Sequence, residues 1–237
     1  MKTKKSLILT LATSLYFSAA LATGSSVDQY RIEKRPVAPE PTPQQYSISE
    51  HDEMDVGKPP IDFKFARTGQ GGPSQWAVVD DSTSSTGRVI EQSSTDRTDY
   101  RFPLAILEPV VAKNVEISLS FKPVAGRVDQ AGGIAVRLAD PDNYYVVRAN
   151  ALEDNVRFYR VVKGRRQQID GVNTKVAGNQ WHTLGLKAQG DQFTVRFDGK
   201  TLFTTADKTF AGAGRIALWT KADSVTRFDQ ITIDVLP

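Results

Sequence analysis

The chain has 237 residues, 40% of them hydrophobic and 24% charged, with a formal net charge of +3 and no cysteine. This is the composition of a soluble globular protein, long enough for one sizeable β domain plus a tail. The missing cysteines exclude disulfides, thiolate nucleophiles and Cys-ligated zinc.

The positive excess is local. Lys2, Lys4 and Lys5 precede an apolar run from Leu7 to Ala20, and Ala20-Leu21-Ala22 has the small-x-small form of a cleavage site. Residues 1–22 are expected to be a signal peptide that sends the chain to the periplasm or the extracellular space. The run is short for a membrane span, so none is expected in the mature chain. Without those three lysines the remaining basic residues equal the 27 acidic ones. Whole-chain charge therefore argues for no nucleic-acid partner.

Residues 23–60 read as a Pro-rich flexible leader, with Pro36, Pro39, Pro41, Pro43, Pro59 and Pro60 and few large apolar side chains. Within it, Glu50-His51-Asp52-Glu53-Met54-Asp55 could be read as a metal site or as catalytic carboxylates. A catalytic strand should alternate its acids with apolar residues, and this run offers only Met54, which favours a solvated acidic linker. No metal ligand is nominated.

From residue 61 to 237 the chain reads as strands and turns. Phe63 to Ala66, Trp76 to Val79, Arg88 to Gln92 and Arg101 to Leu107 are β-rich. The glycine loop Thr68 to Pro73 lacks the helix and Lys-Ser/Thr pair of a phosphate cradle and reads as a turn. Val115 to Val124 alternates Val115, Ile117, Leu119 and Phe121 with Glu116, Ser118, Ser120 and Lys122, a strand with one face in a core and one in solvent. Ala131 to Ala151 is a hairpin about Asp140-Pro141-Asp142-Asn143. Lys163-Gly164 and Asp198-Gly199-Lys200 mark two more hairpins. Trp181 to Lys187, Arg215 to Lys221 and Val225 to Val235 complete the pattern. Strands at this spacing, with no helical period, predict an all-β antiparallel two-sheet sandwich.

Several segments in this order carry a resemblance. They are Gly132-Gly133-Ile134-Ala135-Val136-Arg137, Asp142 to Arg148, Gln180-Trp181-His182-Thr183, Phe197-Asp198-Gly199-Lys200, Gly214 to Trp219, and Ala222-Asp223-Ser224 leading to Phe228-Asp229. From about Phe63 to Val235 the chain resembles a concanavalin-A-like jelly roll of the laminin-G and lectin/glucanase type. Within that group it is most similar to the secreted bacterial branch containing the 3-keto-disaccharide hydrolase (3-keto-glucoside lyase/hydratase) domain. The resemblance implies a jelly-roll fold, a carbohydrate partner and a ligand groove on the outer face of the concave sheet.

The chain departs from these relatives where catalysis would reside. Tyr144 to Arg148 carries no acid where the hydrolase-like family places one. No core strand has the Glu-x-Asp-x-x-Glu pattern of glucanases. No pair of carboxylates for retaining glycoside hydrolysis can be nominated. There is no Gly-x-Ser-x-Gly elbow, and His182 shares parity with Leu184 and Leu186, as a core or edge histidine does. Catalytic residues are therefore left unknown.

Strand parity nominates a surface instead. If Ile134, Val136 and Leu138 face the core, Arg137 faces outward. Arg148 and Asn150 share one parity, Arg157 and Tyr159 oppose Val156 and Phe158, and Arg215, Trp219 and Lys221 oppose Ile216 and Leu218. These eight residues are the ligand-groove candidates. Aromatic faces stack on sugars, and arginine or asparagine bonds hydroxyls or carboxylates, so an Arg-rich groove favours acidic glycans. Three functions stay open: a secreted carbohydrate-binding domain, a 3-keto-sugar hydrolase or lyase, and a laminin-G-like adhesion module. A divalent metal such as calcium, the glycan and the oligomeric state are left open.

Overall fold

A computed structural model describes residues 44–48 and 54–237. Among them are fifteen strands and no helix. In chain order these are β1 (Gln44–Ile48), β2 (Phe63–Gly69), β3 (Trp76–Asp80), β4 (Arg88–Gln92), β5 (Arg101–Ala112), β6 (Val115–Ala125), β7 (Ala131–Asp140) and β8 (Asn143–Asn150). They continue with β9 (Asn155–Val162), β10 (Arg165–Asn173), β11 (His182–Gln189), β12 (Gln192–Phe197), β13 (Lys200–Ala206), β14 (Gly214–Thr220) and β15 (Val225–Val235).

The strands form two antiparallel sheets. Sheet I runs β13-β12-β11-β6-β15-β4-β3, with β1 added against β15. Sheet II runs β10-β9-β8-β7-β14-β5-β2. The hairpins fall where the turn residues put them. Lys163-Gly164 and Asp198-Gly199 both have positive φ at both positions, the conformation of a two-residue type I′ turn. Between β7 and β8 the Asp140 carboxylate accepts the Asp142 N–H at 2.8 Å and the Asn143 side-chain amide at 2.9 Å.

The core lies between the sheets. Ile117, Leu119, Phe121, Phe193 and Phe228 of sheet I meet Ile134, Tyr145, Val147, Phe158 and Leu218 of sheet II. Phe158 sits 4.8 Å from the Phe193 ring and 5.7 Å from Tyr145. Burying side chains of this size contributes about 1.5–3 kcal/mol each. Gly132 is needed here, because a Cβ on it would lie 2.7 Å from the Phe121 ring.

Sheet II differs from the simple alternation read in β6. Its outer face carries a second buried cluster, with Phe102, Leu104 and Ile106 of β5, Tyr144 and Val146 of β8, Tyr159 and Val161 of β9, and Ala217 and Trp219 of β14. Both faces of this sheet are apolar, which explains why Tyr144 to Val147 is a continuous apolar run.

The leader expectation changes at its end. Gln44–Ile48 pairs residue for residue with Ile231–Val235, and Tyr46 packs against the core. Gly57 and Lys58 exchange backbone hydrogen bonds with Val78. The domain thus begins before residue 61, because backbone pairing along β15 recruits polar residues that apolar periodicity could not flag. The signal-peptide segment, the rest of the leader up to residue 43, and the acidic run at 50–53 lie outside the described residues.

Candidate ligand-binding face

Antiparallel pairing puts residues directly opposite one another on the same face. On sheet II, Arg148 opposes Arg157 on β9 and Gly133 on β7, and Gly133 opposes Trp219 on β14. One position further along, Asn150 opposes Asn155 and Ala131. Arg148, Asn150, Arg157, Tyr159, Arg215, Trp219 and Lys221 all belong to this outer face. Arg215 is exposed at the opposite end of β14 from Lys221.

Arg137 does not belong there, and its assignment is corrected. It has φ 50°, and the β7–β8 register shifts between Val136 and Asp140, so parity fails across it. The side chain is buried and closes three carbonyls: Lys113 O at 2.9 Å, Phe210 O at 2.8 Å and Gly190 O at 2.5 Å. Its guanidinium also lies 5.2 Å from the Phe193 ring. The bulge needs Gly214 opposite it, where a Cβ would come 2.4 Å from the Arg137 carbonyl carbon.

Trp219 is likewise no open stacking platform. It is fully buried, stacks on Phe102 at 5.3 Å and donates its indole N–H to Tyr144 Oη at 3.2 Å. Together with Tyr159 and Phe102 it forms the floor of the face.

Over one end of that floor stands a polar network. Arg148 donates from Nη2 to Glu153 Oε2 at 2.7 Å and to Tyr159 Oη at 3.0 Å, and from Nη1 to Asn155 Oδ1. Asn155 in turn donates to Glu153 at 3.1 Å. Asn150 donates to Asp129, and Lys221 reaches Asp129 at 2.5 Å and Asp99 at 2.8 Å. Arg157 donates to Asn173 at 2.5 Å.

Three loops bring the acids: residues 93–100, 126–130 and 151–154. The middle loop is tied by Asp223, whose carboxylate accepts the N–H groups of Arg127, Val128 and Asp129 at 2.8–3.1 Å. Burial raises the Asp129 pKa, against the pull of Lys221. Burial would also raise that of Glu153, but Arg148 and Asn155 outweigh it and lower it. Burial works against the Lys221 ammonium, yet its bonds to Asp129 and Asp99 raise its pKa. Glu153, Asp129, Asp99, Asn155 and Arg166, the last with its guanidinium over the Tyr159 and Phe102 rings, were not among the sequence candidates. Arg166 and Asn155 could have been found by extending parity along β10 and β9. The loop acids carry no periodic signal.

Among the described residues no three His, Asp or Glu side chains are grouped so that they could hold a metal ion. His182 caps the edge of the core, 5.0 Å from the Phe197 ring and 2.9 Å from Asp198.

The family model of the galactocerebrosidase C-terminal lectin domain matches residues 110–236, from the end of β5 to the end of β15. The chain belongs to this lectin-domain family. The matched segment contains both the Arg148 network and most of the floor. Among solved structures, the carbohydrate-binding module CBM66 from Bacillus subtilis is 20% identical, with 72% of this chain and 94% of that one covered and a TM-score of 0.56. The Bacillus licheniformis β-glucanase is 13% identical over 81% of this chain and 98% of that one, at a TM-score of 0.52. Domain 4 of AbnA, a GH43 extracellular arabinanase from Geobacillus stearothermophilus, solved with arabinotriose, is 17% identical over 80% and 90%, at 0.51. At these identities the likeness is one of fold, and the fold is the jelly-roll sandwich. No curated protein matches the sequence.

Proposed function

We propose that this lectin-like domain binds carbohydrate on the outer face of sheet II, at the end rimmed by residues 93–100, 126–130 and 151–154, without transforming it. The observation that carries this reading is the partly exposed polar rim of Arg157, Arg166 and Glu153, held in place by the buried Arg148–Asn155–Tyr159 network above a closed aromatic floor. Sugar recognition needs convergent, pre-oriented polar groups, and a buried network that fixes the rim side chains supplies them at low ordering cost. The CBM66 and AbnA domain likenesses support the same reading by fold analogy.

Binding is favoured over a 3-keto-sugar hydrolase or lyase activity by the state of the acids. Asp129 is held by Lys221 and Asn150, and Glu153 by Arg148 and Asn155. A general acid or nucleophile must be free to exchange a proton or attack a carbon, and these carboxylates are committed to cations. The signal-peptide pattern supports action outside the cytoplasm.

A glycan array followed by calorimetry on the best binders tests the reading. Wild type is expected to retain a defined set of oligosaccharides, and Arg157→Ala and Arg148→Lys are expected to weaken them about tenfold or more, some 1.4 kcal/mol. Retention unchanged in both variants would place the ligand elsewhere. Turnover of a bound glycan would reinstate the enzyme.

A further inference from the structure

Arg166 is unlike the other arginines of this face. Its backbone N–H is held by the Tyr100 hydroxyl at 2.7 Å, and that hydroxyl donates to Gly164 O at 2.9 Å, so the β9–β10 turn is clipped to the loop before β5. Its guanidinium carbon lies 4.4 Å from the Tyr159 ring centroid, 4.9 Å from Phe102 and 5.9 Å from Trp219. Three rings therefore aim it. Yet among the described residues its guanidinium makes no hydrogen bond, and Nη1 is buried without a partner. Of the other arginines on this face, Arg148 and Arg157 donate to side-chain oxygens, and Arg215 is exposed to solvent.

Aromatic contact returns only part of the hydration such a cation loses, while a buried charged donor without an acceptor costs as much or more. For folding alone the arrangement gains little. For binding it is useful: a planar fork held rigid, with its remaining donors uncommitted. The charge of Arg166 reaches Asp99, whose pKa is lowered first by its hydrogen bond to Lys221 and also by Arg166. Asp99 Oδ1 is taken by Lys221, and Asp99 acts on Arg166 through its charge without a hydrogen bond. Tyr159 ties the two arginines into one site, since Arg148 bonds its hydroxyl while Arg166 lies near its ring.

We infer that Arg166 anchors an anionic substituent, a carboxylate or a sulfate ester, on the bound glycan. This rests on the reading of the face as a carbohydrate site and specifies its ligand class. A carboxylate or sulfate presents two oxygens at the spacing of the guanidinium fork, which lysine cannot match.

The test uses the mature protein and four probes: a uronic-acid oligosaccharide, its carboxyl-reduced form, a sulfated oligosaccharide and its desulfated form. Wild type is expected to bind at least one acidic probe tenfold or more above its neutral counterpart, with affinity falling as salt rises. Arg166→Gln should bring the acidic probe down to the neutral level and leave the neutral one unchanged, and Arg166→Lys should recover part of the difference. Tyr100→Phe, which loosens the clip but keeps every charge, should give an intermediate loss if Arg166→Gln folds poorly. The uronate and sulfate arms separate the two anion sources. Equal binding of acidic and neutral probes by wild type, with Arg148→Lys still damaging, overturns the role of Arg166 and leaves carbohydrate binding standing. Absence of binding to every probe and to the array overturns both.

Discussion

Arg148 donates through Nη2 to the phenol of Tyr159 at 3.0 Å, across the antiparallel pair of β8 and β9, with the guanidinium carbon 5.7 Å from the ring centroid. The same nitrogen reaches Glu153, which anchors the loop between these strands. Arg148→Ala is therefore expected to do two things. It removes the buried fork that orders this end of the proposed binding face, and it leaves Asn155 Oδ1 and the Tyr159 hydroxyl without their donor. Glu153 is 43% exposed and can rehydrate, so the stability loss is about 1–3 kcal/mol rather than the larger cost of a fully buried pair. Urea unfolding reads that loss, and calorimetry on the folded variant reads the binding loss. Arg148→Lys should keep most of the stability and lose most of the affinity.

Arg137 separates structure from function on the same hairpin. Its three carbonyl bonds tie together the β5–β6, β11–β12 and β13–β14 connections. Arg137→Ala should cost about 2–4 kcal/mol, since three charge-assisted hydrogen bonds from a buried guanidinium are lost and its packing on Phe193 with them. Glycan affinity of the folded fraction should not change. A stable Arg137→Ala protein with lost binding would return this residue to the ligand site.

Acid stability should depend on Asp81. Burial would raise its pKa, but hydrogen bonds from Lys122, Thr83 and Arg227 outweigh it and hold the carboxyl well below the usual carboxylate range. Lys122 Nζ and Arg227 Nη1 lie 2.8 and 2.9 Å from it. A depressed folded-state pKa contributes stability that is fully present above the unfolded value, about 3.9, and is lost as pH falls toward the folded one. Asp81→Asn should lower stability by about 3 kcal/mol at pH 7, because it leaves the Lys122 ammonium buried without its counter-charge. The difference from wild type should shrink steadily between pH 4 and 2. Urea midpoints at pH 7, 4 and 2.5 check the slope.

Strand β1 carries the fourth prediction. It covers the edge of β15 from Ile231 to Val235, while β4 covers Thr226 to Phe228. A chain shortened to begin at residue 54 should unfold at a lower temperature and self-associate, because the uncovered half of β15 is an open strand edge. Light scattering of the shortened and mature proteins at matched concentration measures this. A monodisperse, equally stable short form would make β1 dispensable.

What the amino-acid order determines by itself is local and periodic. The alternation in Val115 to Phe121, the Asp-Gly and Lys-Gly turns and the spacing of strands are sufficient for an antiparallel sandwich, and parity places Arg148, Asn150, Arg157, Tyr159, Arg215, Trp219 and Lys221 on one face. Such signals are readable because a strand repeats every two residues and a turn is chosen by a few φ preferences. Only the tertiary structure decides what breaks the period or comes from elsewhere in the chain. The bulge at Arg137 turns that side chain to three carbonyls, backbone pairing draws Gln44–Ile48 into sheet I, and loops carry Asp99, Asp129 and Glu153 to the end of sheet II. Arg166 shows the same division. Its parity could be read along β10, but the three rings that aim its guanidinium come from β5, β9 and β14, which only the sheet order brings together.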